Sequence, residues 1–158
     1  MATPINLSTA GVHLYYAVET VAGTRPTTGY KDLPGVKSTP SLNPAPEALD
    51  STTLNDAEWV TYVKGLKDLG GSLEFGFNLT QALLDTWDEL MAAVEAGKAT
   101  GLSTWFLIDI PGLDDGFYFR GDPADTGLPA IEVNSVLETT MFITPTGAPM
   151  MAEKPAKQ

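Results

Sequence analysis

Only one segment of this 158-residue chain repeats its apolar residues at helical spacing. In "TQALLDTWDELMAAVEAGK", Leu83, Leu84, Trp87, Leu90, Met91 and Val94 recur at intervals of three and four, while Asp85, Asp88, Glu89 and Glu95 take the other faces. The spacing predicts a helix over about 80–96 that packs its stripe on a sheet. Thr80 or Asn78 can cap its start and Gly97 can end it. One helix is too few for a parallel sheet, in which each crossover consumes a helix of its own. The rest of the chain is therefore expected to form antiparallel strands.

The remaining patterns alternate with period two. "GVHLYYAVET" sets Val12, Leu14, Tyr16 and Val18 against His13, Tyr15, Ala17 and Glu19. "AGTRPTTGYKDLPG" reads as turn, and "VKSTPSL" as a short extended piece limited by Pro40. "GGSLEFGFNLT" places Leu73, Phe75, Phe77 and Leu79 on one face, and Ser72, Glu74, Gly76 and Asn78 on the other. "LSTWFLIDI" is a buried strand, "PGLDDG" its turn, "FYFRG" its hairpin partner, and "DPADTGLPA" a loop. "IEVNSVLETTMFIT" is expected to be the last long strand, with Ile131, Val133 and Leu137 inward, Glu132, Asn134 and Glu138 outward, and a register change near Thr139.

With 12 prolines and 15 glycines as punctuation, these segments predict a mainly β fold. The expected architecture is a β-sandwich or open barrel of six or seven strands with one flanking helix and a long protruding loop or hairpin at about 40–70. One domain, 10–144, would lie between an N-terminal arm (1–9) and a flexible C-terminal tail (145–158), "PTGAPMMAEKPAKQ", expected to be mobile or to order only against a partner.

The protrusion is the unusual part. About thirty residues separate Pro40 from Gly70, a length that is uncommon in a compact domain without a function of its own. "EWVTYVKG" has the composition of a strand, so a hairpin is expected, with arms of about twelve residues reaching ~40 Å. A free two-stranded ribbon is marginal in water. Leu49, Leu54, Trp59, Tyr62 and Leu66 are thus expected to be buried against another copy of the chain.

Nine basic and 20 acidic residues give a formal charge of −11, which repels phosphate and argues against gripping nucleic acid. The absence of cysteine excludes disulfides and thiolate chemistry. "MATPINLSTAG" has no signal-peptide character and no segment approaches the ~20 apolar residues of a membrane span, so a soluble protein is expected. "NLT" at Asn78 fits a glycosylation acceptor by chance at a strand end. His13 is the sole histidine and lies on an alternating strand away from any nucleophile motif. The pairs Asp114/Asp115 and Asp122/Asp125 stand among Gly and Pro, where Asp serves turns. No catalytic residue, metal site or cofactor is expected.

The order "GVHLYYAVET", "PGVKSTPSLNPAPEALDSTTLND", "YVKGLKDLGGSLEFGFNLT", then a helix and two further strand pairs, resembles the major tail tube proteins of long-tailed, siphovirus-like bacteriophages over roughly residues 10–145. The resemblance implies a virion tail protein, assembled in the host cytoplasm, whose hexameric rings stack into a tube, with the long loop reaching an adjacent ring. It implies contacts with the tape measure protein, tail terminator and baseplate or tip proteins, and double-stranded DNA passing without specific binding. Glu74, Asn78, Glu132, Asn134 and Glu138 become candidates for an acidic channel lining. Rival readings are the tube of a contractile tail or injection system, a β-sandwich capsid-decoration or adhesion module, and an acidic metal-dependent hydrolase.

Overall fold

A computed structural model describes residues 11–55, 58–67, 69 and 71–155; the arm expected at 1–9 lies outside them. The described elements are β1 (His13–Val18), β2 (Lys31–Leu33), β3 (Val36–Ser38), β4 (Pro46–Asp50), β5 (Tyr62–Lys67), β6 (Leu73–Asn78), α1 (Gln81–Ala99), β7 (Thr104–Asp109), β8 (Asp115–Pro123), β9 (Glu138–Pro145) and β10 (Met150–Glu153). The fold is mainly β, an open barrel with one flanking helix, as the patterning predicts.

One antiparallel sheet runs β2-β1-β7-β8-β9-β6-β3, and β10 pairs with β8 beside it. Its first and last strands are separated in the chain only by Pro34 and Gly35, so the sheet curls until its two ends meet. Gly35 takes φ +81 at this corner and its carbonyl accepts the Asn78 N–H at 2.9 Å. A Cβ there would meet the Asn78 carbonyl oxygen at 3.1 Å, so the closure depends on glycine twice over.

The curl encloses Leu14, Leu33, Leu73, Phe75, Phe77, Phe106, Phe119, Met141 and Ile143, and α1 adds Leu83, Trp87, Leu90 and Val94. Phe119 stacks between Phe75 and Phe106, with ring centroids 5.9 and 5.3 Å away. Trp87 meets Phe77 edge-on and donates its indole N–H to the Ala124 carbonyl at 2.9 Å. A smaller cluster of Trp105, Leu107 and Tyr118 lies on the other side of the sheet, flanked by Tyr15 and Tyr30. Arg25 covers the Tyr118 ring at 4.3 Å, and burial pushes the Tyr30 phenol up to about 12 despite that guanidinium.

Thr80 caps α1 through its Oγ1, which accepts the Leu83 N–H at 3.2 Å. The helix does not stop at Gly97. It runs to Ala99, and Gly97 is buried where a Cβ would meet Val18 Cγ1 at 3.0 Å. Glu19 is buried rather than outward, because three N–H donors converge on its carboxylate. The stretch read as turn chemistry yields β2, a three-residue strand too short to show a period.

The expected strand over 131–137 does not form. β6 ends at Asn78, opposite Glu138, and the chain then turns into α1 at Gln81, so residues before Glu138 have no ladder to join. Asn134 takes φ 60, and Ile131, Val133 and Leu137 are exposed instead of inward. The tail segment 145–158 orders in part on this chain itself: β9 pairs with Gly121–Pro123, and after a short loop β10 continues along the same edge to pair with Asp115–Tyr118. Lys154 fixes it, 2.6 Å from Asp109 Oδ1 and donating to the Ile110 carbonyl at 2.8 Å.

Candidate assembly interface and channel face

Among the described residues, β4 and β5 pair only with each other and form the predicted hairpin within 40–70. Its arms are five and six residues long, not about twelve. The register sets Ala48 opposite Lys64, Leu49 opposite Val63 and Asp50 opposite Tyr62. Beyond the ladder the tip is held by polar bonds: Ser51 N–H to the Thr61 carbonyl at 2.9 Å, Thr61 N–H to Thr52 Oγ1 at 3.0 Å, and Thr52 N–H to Asp50 Oδ1 at 2.9 Å. The side-chain and backbone hydrogen bonds from Thr52 hold the exposed Asp50 carboxyl below the usual carboxylate range.

Strand alternation divides the ribbon's side chains between two faces. Leu49 and Val63 share one; Tyr62 and Leu66 share the other with Lys64. Both are open to solvent, with Leu66 85% exposed, and at the tip Trp59 is 80% exposed and Leu54 fully so. The five expected residues thus all lie on one exposed hairpin. Val63 is exposed with them although the pattern above does not single it out; its signal is that it alternates out of phase with Tyr62, which gives the ribbon a second apolar face. Gly65 lets the arms approach there, since a Cβ would lie 2.9 Å from the Glu47 carbonyl.

The candidates for the channel lining separate. Glu74, Asn78 and Glu138 share the outer face of β6 and β9, with Asn78 directly opposite Glu138 and Glu74 opposite Phe142. Lys37 on β3 forms an ion pair with Glu138, and Thr140 and Thr144 share this face with the exposed Phe142, so it is of mixed charge and mostly polar with one aromatic on it. Glu132 and Asn134 are not on this strand face but in the exposed loop before β9. That loop also exposes Leu128, Ile131, Val133 and Val136, an apolar run with no counterpart in the sequence reading beyond its supposed inward positions.

The acidic pairs stay in turns and strand ends. Asp122 lies 3.9 Å from Lys98, and among the described residues no group of three or more His, Asp or Glu is placed to hold a metal ion. His13 is exposed, its Nδ1 3.5 Å from Asp32. No helix among the described residues is long and apolar enough to cross a membrane.

No protein-family model and no curated protein matches the chain. Among solved structures, a chain in the cryo-EM structure of the anti-feeding prophage baseplate, six-fold symmetrised, is similar in fold, with a TM-score of 0.58 at 10% identity. The likeness covers 97% of this chain and 98% of that one.

Proposed function

We propose that this chain is a structural, non-enzymatic component of a phage-type tail or a related injection apparatus, and that it works by assembling with its own copies into stacked rings forming a tube. The observation that carries the reading is the β4–β5 ribbon, whose apolar side chains lie uncovered on both faces and at its tip. Contiguous uncovered apolar surface of this kind marks an interface. The near end-to-end likeness to a chain of a prophage baseplate, and the six-fold symmetry in its description, fit a subunit of a six-membered ring.

In that assembly the ribbon reaches a neighbouring ring, and the face carrying Glu74, Asn78 and Glu138 lines the channel. Acidic and small polar groups there would repel DNA phosphates at close range. Tape measure, terminator and baseplate proteins are its partners in a virion tail. The tube of a contractile tail or injection system is the second reading, favoured by the source of the structural neighbour. Negative-stain microscopy of the concentrated purified protein tests the proposal. Rings or tubes are expected; a strictly monomeric chain would overturn self-assembly and leave the decoration-module reading.

A further inference from the structure

The curl of the main sheet leaves an uncovered hollow between the segment that follows β3 and β10, which among the described residues pairs only with β8. Its volume is about 560 Å³, and Leu42, Ile108, Ile110, Phe117, Met150 and Met151 wall it. Of its described lining only Thr39 and Asn43 carry polar side chains, and none is charged. Ile108 pairs with Phe117 and Phe117 with Met151, so the three share one face across β7, β8 and β10. Ile108 belongs to the core and Phe117 packs against it, whereas Met151 is 57% exposed. The hollow therefore opens onto the core and leaves apolar groups in water.

Residues 1–10 join the described chain at the rim of this hollow. A Cβ on Gly11 would meet Pro111 Cγ at 3.1 Å, and Pro111 follows Ile110 of the wall. Gly11 takes φ +81, so the chain reaches β1 through a bend instead of along the line of the strand. Val12, the next residue, already packs on the core beside Ile110, Leu42 and Phe117. "MATPINLSTA" carries Pro4, Ile5 and Leu7 and no charged side chain, which matches the uncharged wall. At most ~3.6 Å per residue separates positions along the chain, so Leu7 lies within about 14 Å of Gly11 and Ile5 within about 22 Å. Residues 156–158 leave from the same region, since Lys154 donates to the Ile110 carbonyl, but Ala-Lys-Gln offers no large apolar side chain.

We infer that the hollow is the seat of the chain's own N-terminal segment, with Ile5 and Leu7 inserted against Ile110, Phe117, Met150 and Met151. The inference depends neither on the ribbon nor on ring assembly. A short tether favours this occupant over a free partner, because it holds the segment at an effective concentration on the order of mM.

Cysteines test it in a chain that has none. Leu7→Cys or Ile5→Cys, combined with Met151→Cys, should oxidise to an intrachain disulfide, read as faster migration of the monomer on non-reducing gels and by peptide mapping. The comparison is Leu7→Cys with Asp32→Cys. Asp32 touches His13 near the same entry point but pairs with Tyr15 on the sheet's other face, outside the hollow. That pair should link roughly tenfold more slowly, since the seated segment is held away from it. Equal rates, or no link to Met151 from either position, would overturn the inference. Links between chains would give the hollow to a second copy and overturn it as well. A second readout needs no cysteine: Ile5→Asp with Leu7→Asp should leave the far-UV circular dichroism unchanged, shift the Met150 and Met151 methyl resonances and increase the fluorescence of added anilinonaphthalene sulfonate. Methyl resonances that do not move would also overturn the seat.

Discussion

The Glu19 carboxylate, at the end of β1, accepts the indole N–H of Trp105, 86 positions later, at 2.8 Å. It also accepts the Ser103 N–H at 3.0 Å and the Gly23 N–H at 3.1 Å, so one buried charge ties the β1 turn to the start of β7. Burial alone would raise its pKa. The bonds from Trp105, Ser103 and Gly23, with Arg120 nearby, outweigh that and leave it lowered from 4.5.

Glu19→Gln keeps the shape but turns an amide N–H₂ toward one of the three donors. The expected loss is about 1–3 kcal/mol at neutral pH, and for a domain of this size roughly 2–4 °C in Tm per kcal/mol. The folded pKa is below the unfolded one, so the carboxylate's stabilisation is full above 4.5 and lost as pH falls through the folded value. Thermal melts should show the gap between wild type and variant narrowing as pH drops below 4.5. A gap that does not change with pH would mean that the charge is irrelevant.

Gly121 sits where β8 passes from β7 to β9, and a Cβ there would lie 2.5 Å from Ile143 Cγ2 and 3.1 Å from the Thr144 carbonyl oxygen. Neither can retreat, one being a stiff β-branched group and the other backbone. Gly121→Ala should therefore cost about 1–3 kcal/mol. Gly127→Ala, with nothing within 4 Å, should change stability by less than about 0.5 kcal/mol. Urea denaturation of the pair measures the contrast.

These two sites show why part of the fold was legible and part was not. The alternation Leu73, Phe75, Phe77 and the three- and four-residue spacing of Leu83, Trp87, Leu90 and Val94 report directly on burial, because each faces one continuous core. "IEVNSV" alternates just as well, yet it forms no strand because β6 has no residues left to pair with it. Alternation says which side chains could share a face; only a partner decides whether the face exists. Alternation places Glu19 outward for a related reason, since its burial is set by donors from positions 23, 103 and 105 that no local pattern connects. The hairpin within 40–70 was visible because its length and composition conflict. Its two-sided exposure needed the register that pairs Leu49 with Val63.

Because the ribbon is apolar on both faces, each face should matter separately. Leu49→Asp on one side, and Trp59→Ala with Tyr62→Ala at the tip and on the other, are each expected to abolish assembly while leaving Tm within about 2 °C, since exposed positions contribute little to monomer stability. Electron microscopy and differential scanning calorimetry check the two halves. A large fall in Tm would instead make the ribbon part of the folding unit.

The face of Glu74, Asn78 and Glu138 gives a separable test. Glu74→Lys with Glu138→Lys converts two acids on the outer face of β6 and β9 to bases and also breaks the Lys37 pair. Being exposed, that pair is worth only about 0–1 kcal/mol, so folded subunits and intact tubes are expected. DNA passage should slow, and the slowing should be relieved by added salt, which screens phosphate attraction. Unaltered ejection kinetics would remove this face from the channel.

Ionic strength distinguishes what drives assembly. Each copy carries a formal charge of −11, so bringing copies together is opposed at low salt, where the screening length is about 30 Å at 0.01 M, and much less so at 0.1 M, where it is about 10 Å. Ion pairs between copies would weaken over the same range, but rim pairs contribute only about 0–1 kcal/mol each. Burial of Trp59, Tyr62 and Leu66 does not depend on screening and is worth roughly 1.5–3 kcal/mol per large apolar side chain. Repulsion between like-charged bodies is thus the term that salt changes most. Assembly followed by light scattering should therefore increase from 0.01 to 0.15 M salt, and more steeply for Lys64→Glu, which adds charge to the acidic total. A decrease with salt would mean that ion pairing, not the apolar ribbon, holds the copies together.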